Sequence, residues 1–240
     1  DKTWTWGEFT DAIERTARVL AGRGVKKGDR VAIMATNTYA HVMLMFALAR
    51  IRAIMVPVNP EFGVTEANYV MSHAGVSAVA CSTDTLQIAK QAAAELHPAP
   101  WFMMVDEAAE GLPLLTELIK NPGEAKLPDD AAADDTFAII YSSGTTGFPK
   151  GVMHAQKNFV LSGERHVARV ETQADDRVLC ILPMFHINAL FYSVASAVTA
   201  GATLIIVPRF SASTFWRTAT DSGATQVNVI MAVSTILARR

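Results

Sequence analysis

Charge is scarce in this sequence. Asp, Glu, Lys and Arg make up 18% of its 240 residues and nearly cancel, 21 Lys plus Arg against 23 Asp plus Glu, leaving a net charge of -2. That excludes the basic field that holds nucleic acid or an anionic membrane, and neither partner is expected. Cysteine is scarcer still: Cys81 and Cys180 lie far apart in apolar, strand-like runs. Their spacing suits neither a zinc site nor the disulfide framework of a small secreted protein, and a reducing, cytoplasmic setting fits best. The chain opens DKTWTW, without Met, a basic segment or a signal-type apolar run, so a start trimmed from a longer chain is expected. Internal repeats and low-complexity tracts are absent.

What remains is apolar. Hydrophobic residues reach 50%, so much of the chain is expected to be buried. Residues 178–208 contain no Asp, Glu, Lys or Arg and are long enough for a bilayer. Pro183, His186, Asn188 and Gly201 cut this run into pieces of strand and helix length, and Arg177 and Arg209 flank it without orientation bias. A buried strand, helix and strand is expected in place of a membrane span.

Thr5 and Glu8 have capping-box spacing, with Trp4 and Phe9 placed as a hydrophobic staple, which predicts a helix start. Strand RVAIMA, the all-round apolar helix YAHVMLMFALARI and strand AIMVPV then form a βαβ unit. A helix near 65–74, a strand near 77–81, a helix near 84–96 and the strand WFMMV continue the alternation, which implies a mostly parallel sheet covered on both faces. Residues 121–135, NPGEAKLPDDAAADD, lose the apolar pattern and read as a solvated linker. Asp129, Asp130, Asp134 and Asp135 within it lack the alternating ligands and turn glycine of a calcium loop. The expected organisation is a first α/β subdomain over 1–120, a linker over 121–135, and a second, incomplete α/β subdomain over 136–240.

Between strands TFAIIY and GVMHA stands SSGTTGFPK, residues 142–150. So many Ser, Thr and Gly residues could be a flexible linker, but the flanking strands are too close together to be separate folding units, so a tight, exposed hairpin loop is expected. Gly144, Gly147 and Gly151 let the backbone approach a ligand. Ser142, Ser143, Thr145 and Thr146 add hydroxyl donors, and Lys150 adds a cation. Together they suit a polyphosphate. Pro149 before Lys150, and a strand after it, set this loop apart from a Walker A loop, in which Gly-Lys-Ser/Thr opens a helix.

SSGTTGFPKGV resembles the signature of the adenylate-forming (ANL) superfamily, which includes acyl-CoA synthetases, luciferases and the adenylation domains of peptide synthetases. LPMFHINA, residues 182–189, resembles that family's second core motif, where acyl-CoA synthetases commonly carry Phe-His. VKKGDRVAI and VPVNP resemble its first subdomain. The resemblance covers essentially the whole chain and about half of the family's usual length. Counterparts of the family's later Tyr-Gly-x-Thr-Glu motif, ribose-binding Asp, hinge and C-terminal lysine do not occur here, so part of a longer enzyme is expected. Where many relatives read Thr-His-x-Asn, this chain has Ala155, Gln156, Lys157 and Asn158, and Gln156 is given no role.

The resemblance implies an AMP-forming acid:CoA ligase, with two mostly parallel sheets, flanking helices and a place in fatty acid metabolism. ATP, coenzyme A and a small carboxylic acid would be its substrates, with magnesium as cofactor. Phosphate binding is carried onto Ser142, Ser143, Gly144, Thr145, Thr146, Gly147 and Lys150, and a magnesium contact onto Ser142. Lys150 and His186 are the catalytic candidates. His186, Ile187, Asn188 and Ala189 are the substrate-binding candidates, His186 orienting the carboxylate near the α-phosphate. Open α/β sheets place ligands beyond the carboxyl ends of their strands, which is where His186 is expected. The other histidines, His41, His73, His97, His154 and His166, show no metal spacing and have no such support. The run FHINA through RFSASTFW resembles crotonobetaine or carnitine CoA ligases, which implies a short or medium acid, an aromatic one remaining open. Two alternatives stand: an adenylation domain that loads a carrier protein, and a non-catalytic nucleotide-binding fragment. The 240 residues alone are expected to be inactive. The oligomeric state, a homodimer included, is not set by the sequence.

Overall fold

The computed structural model describes residues 2–142 and 149–239. They divide into two compact units: Asp1–Ala35 with Tyr39–Gln156, and Thr36–Thr38 with Lys157–Arg240.

The first unit begins where the capping residues direct. Helix α1, Trp6–Gly22, starts at Thr5, whose hydroxyl accepts from Glu8 N at 3.2 Å while Glu8 Oε2 accepts from Thr5 N at 2.8 Å. These reciprocal bonds satisfy two donors that the helix start leaves open. They also hold the Glu8 carboxyl below its ordinary pKa. Trp4 closes on Phe9 edge to face at 6.0 Å, as a staple does.

Strand β1 (Arg30–Met34), helix α2 (Tyr39–Arg50), strand β2 (Ile54–Pro57), helix α3 (Val64–Ala74), strand β3 (Val76–Cys81), helix α4 (Leu86–Ala93) and strand β4 (Trp101–Met104) follow. A short helix, α5 (Leu115–Leu118), precedes the hairpin of β5 (Thr136–Ser142) and β6 (Lys150–Ala155). The sheet order is β4-β3-β1-β2-β5-β6. All neighbours are parallel except β5 and β6, which pair antiparallel. Helix α2 carries no charge before Arg50, and Met43, Leu44, Met45 and Leu48 are all 0% exposed. Each such side chain contributes about 1.5–3 kcal/mol through burial.

The 121–135 stretch is pinned, where a solvated linker was expected. Arg18 donates to the carbonyl of Ala125 at 3.3 Å, and Arg50 to that of Pro128. Arg52 grips both Asp130 and Asp135, the latter at 2.8 Å, and Lys27 reaches Asp135 at 3.2 Å. Two of the four aspartates, Asp130 and Asp135, thus answer Arg52, just beyond α2. The sequence put the start of a second subdomain at residue 136; here the 136–155 hairpin extends the first sheet, and the second unit takes up from Lys157.

The second unit holds most of helix α6 (Gln156–Val170), strand β7 (Arg177–Cys180), a π-helix over Ala189–Val194 that runs into α7 (Ala195–Ala200), strand β8 (Thr203–Ile206), helix α8 (Phe215–Asp221), strand β9 (Gln226–Val227) and helix α9 (Met231–Ala238). Its sheet, β8-β7-β9, is parallel throughout. The uncharged 178–208 run is therefore strand, helix and strand. Among the described residues no helix is long and apolar enough to cross a membrane. Glycine is required at Gly163 of α6: a Cβ there would stand 2.4 Å from Thr199 Oγ1 and 2.9 Å from the Ala195 carbonyl oxygen. Both cysteines are free and buried, and burial pushes each thiol up to about 12.

Candidate active site

Strands β5 and β6, which flank the hydroxyl-rich segment, pair antiparallel as a β-hairpin. Register runs from Thr136 opposite Ala155 to Ser142 opposite Lys150, and Ser142 lies at the carboxyl end of β5, a strand parallel to β2. Ser142 and Lys150 are both exposed, so the last pair before the turn offers its hydroxyl and ammonium to solvent. Ser143, Gly144, Thr145, Thr146 and Gly147 lie outside the described residues.

The base of the hairpin is braced by residues that sequence reasoning passed over. Tyr69 Oη donates to the Pro149 carbonyl at 3.1 Å, and Tyr141 Oη lies 2.7 Å from His73 Nδ1. Tyr69 stacks on His73 at 5.5 Å and meets Tyr141 edge to face at 6.5 Å. Burial, then Tyr69, pushes the Tyr141 phenol up to about 12, so it keeps its proton at neutral pH. Gly151 serves this brace: a Cβ there would fall 2.8 Å from Ile139 Cγ2 and 3.0 Å from Tyr141 Cζ. The close approach it permits in this structure is to protein, where approach to a ligand was expected. Gln156, assigned no role, donates from Nε2 to the Ala49 carbonyl at 3.1 Å and from its backbone N to that of Asp135 at 2.9 Å. Among the described residues no group of three or more His, Cys, Asp or Glu side chains could hold a metal ion. Ser142 has only a hydroxyl to offer magnesium.

In the second unit, β7 is the middle strand and His186 follows its carboxyl end after Ile181–Phe185. Asn37, 5% exposed, fixes this connection. Its Nδ2 donates to the Leu182 carbonyl at 2.9 Å, and its Oδ1 accepts from Met184 N at 2.8 Å. His186 N then closes a turn onto the Pro183 carbonyl at 3.0 Å. The imidazole is exposed, 4.2 Å from the Phe185 ring, and partial burial lowers its pKa, which favours a neutral ring at pH 7. Ile187 is 43% exposed, Asn188 half-buried and Ala189 fully buried. The π-helix beginning at Ala189 widens the backbone here, a form often found at functional sites. Ser162 of α6 donates to the Phe191 carbonyl within it at 3.0 Å. Asn37 carried no sequence signal beyond an Asn in the short connection between β1 and α2.

Residues 1–239 match the sequence model of the family described as AMP-binding enzyme. The chain is 32% identical over 219 residues to a crotonobetaine/carnitine--CoA ligase of Escherichia coli, which covers 89% of this chain and 42% of the relative. It is 29% identical over 220 residues to the long-chain-fatty-acid--CoA ligase FadD13 of Mycobacterium tuberculosis, covering 90% of this chain and again 42% of the relative. Among solved structures it is similar to ATP-bound MatB from Rhodopseudomonas palustris, with a TM-score of 0.84, 26% identity, and coverage of 98% of this chain and 46% of that one. The chain thus spans less than half the length of these relatives.

Proposed function

Because this chain belongs to the AMP-binding enzyme family, we propose that the protein is an ATP-dependent acid:CoA ligase that forms an acyl-adenylate and then a thioester. The observation that carries this reading is the hairpin whose last pair, Ser142 and Lys150, stands exposed at either end of the Gly, Ser and Thr loop. The hydroxyl and backbone donors of that segment, with a cation at its end, would suit a polyphosphate.

In the first step a carboxylate oxygen bonds to the α-phosphorus of ATP as the bond to pyrophosphate breaks. Negative charge grows on the leaving group, and Lys150 with the donors of residues 142–147 would stabilise it. His186, neutral at pH 7, would orient the carboxylate through one N–H hydrogen bond. A neutral donor leaves the nucleophile its charge, where an imidazolium would pair with it. In the second step the coenzyme A sulfur bonds to the acyl carbon, the acyl–oxygen bond to AMP breaks, and the thiol proton is lost. Magnesium, if held through the Ser142 hydroxyl, would supply neutralisation of the charge that develops on the leaving group. The names of the two relatives support coenzyme A, rather than a carrier protein, as the thiol acceptor.

The test is ATP–pyrophosphate exchange by the full-length protein with acids from acetate to long-chain fatty and aryl acids. The reading requires exchange with at least one acid and free acyl-CoA when coenzyme A is added. Silence with every acid refutes it, and exchange without free acyl-CoA would point to carrier loading.

A further inference from the structure

One helix reaches both flanks of the Gly, Ser and Thr segment. Tyr69 and His73 of α3 are four residues apart, so they neighbour each other on one face, and their rings stack at 5.5 Å. Tyr69 Oη donates at 3.1 Å to the carbonyl of Pro149, the residue before Lys150. His73 Nδ1 is hydrogen-bonded at 2.7 Å to the phenol of Tyr141, the residue before Ser142. Pro149 has no N–H, so its carbonyl is the one backbone group by which it can be held. Another face of α3 is sunk in the core, where Ala67, Val70 and Met71 are all 0% exposed. A helix anchored in this way holds the residue next to each of the two exposed groups, the Ser142 hydroxyl and the Lys150 ammonium. The single proton of the Tyr69 hydroxyl is spent on the Pro149 carbonyl, which leaves none for a phosphate.

We propose that Tyr69 and His73 are positioning residues for adenylate formation, setting Lys150 and Ser142 in place for the pyrophosphate that leaves. The inference rests on the ligase reading, because only there do those two groups face a developing charge. Groups of this kind act by being in place before the charge appears, and a displacement of about 1 Å can cost about 10²-fold in rate. Lys150 is exposed, so the placing of its ammonium falls to the backbone on which it stands: the ladder pair with Ser142 on one side, the held Pro149 on the other. The rings of Tyr69 and Tyr141 pack against the core, a task that phenylalanine would do as well. The two polar bonds add something else, directed contacts to the residues adjoining the two groups.

The test is ATP–pyrophosphate exchange by the full-length protein with a productive acid, in a cycle of Tyr69→Phe, Lys150→Ala and the double variant. Tyr69→Phe removes one oxygen and keeps the ring stack. It should lower kcat about tenfold and leave KM for the acid within about twofold of the parent, since the acid is not what it positions. Acting through Lys150, it should cost less than about twofold once Lys150 is already alanine. His73→Leu should also lower kcat about tenfold, whereas His73→Asn, whose amide can stand where Nδ1 stood, should stay within about twofold of the parent. A loss of folded enzyme would appear as the same factor with Lys150 or with alanine at that position. An equal factor in the two backgrounds therefore overturns the inference. So does a Tyr69→Phe kcat within about twofold of the parent, or a His73→Asn variant no better than His73→Leu. In each of those cases exchange by the parent leaves the ligase reading standing; a parent silent with every acid takes both down.

Discussion

Replacing Asn37 tests whether the connection from β7 to His186 is held from outside the segment itself. Asn37→Ala removes the donor to the Leu182 carbonyl at 2.9 Å and the acceptor of the Met184 N–H at 2.8 Å. Leu182 and Met184 are 4% and 1% exposed, so water cannot readily replace either bond. A buried group left unsatisfied costs about 1–3 kcal/mol, and two such groups give about 2–6 kcal/mol. Asn37→Asp is the sharper variant. It keeps the acceptor for Met184 N–H but sets a carboxylate oxygen against the Leu182 carbonyl, so it should be destabilised at least as much. Urea denaturation reads the stability, and hydrogen exchange at the Met184 amide reads the clamp, whose protection should vanish in the alanine variant. In the full-length protein, exchange activity should fall more in kcat/KM for the acid than for ATP, because the clamp lies on the His186 side. Both variants within about 0.5 kcal/mol of the parent, a shift typical of an inert surface substitution, would refute the reasoning.

Other outcomes are set by burial and charge. The Arg52 guanidinium holds the Asp135 carboxyl down at about 2, below the unfolded value of about 3.9. Its contribution to stability is therefore complete above about pH 4 and lost as pH falls through about 2; Asp135→Asn should flatten that acid limb in an unfolding titration. Cys81 and Cys180, pushed up to about 12, should resist iodoacetamide in the native protein at about pH 8 and react only in denaturant, read by intact mass. Gly163→Ala forces a methyl group to within 2.4 Å of Thr199 Oγ1 and 2.9 Å of the Ala195 carbonyl. It should destabilise by about 1–3 kcal/mol, and adding Thr199→Ala should not restore the loss, because the backbone contact remains.

Local signals in the sequence were legible where one segment contains both sides of an interaction. Thr5 and Glu8 set the start of α1 because the capping box closes within four residues. Helix α2 read as buried because it lacks charge before Arg50. The antiparallel pairing of β5 and β6 was legible because both are short apolar runs close together on either side of the Gly, Ser and Thr segment. Segments whose partners lie far along the chain were not legible. Residues 121–135 have the composition of a linker, yet the arginines that hold them, Arg18, Arg50 and Arg52, come from the first 52 residues. The hairpin's membership of the first sheet depends on the pairing of Met55 with Ala138, which no local pattern announces. Within the site, the motifs drew attention to Ser142, Lys150, His186 and Asn188. Asn37, Tyr69, His73 and Tyr141 were missed because their contacts exist only after folding. His166 looked idle for the same reason, its hydrogen-bond partner Asn228 lying 62 positions away.

The claim on which the account turns is that the 142–150 hairpin grips the phosphates of a nucleotide. Exchange of pyrophosphate into ATP by full-length Lys150→Ala, at a saturating concentration of a productive acid, measures it directly. The account predicts a fall in kcat of about 10²- to 10³-fold, as for loss of one preorganised group facing a developing charge. The unfolding midpoint should hardly move, since Lys150 is exposed and makes no ion pair among the described residues. Exchange within about twofold of the parent, a difference well under 1 kcal/mol in the barrier, would contradict it.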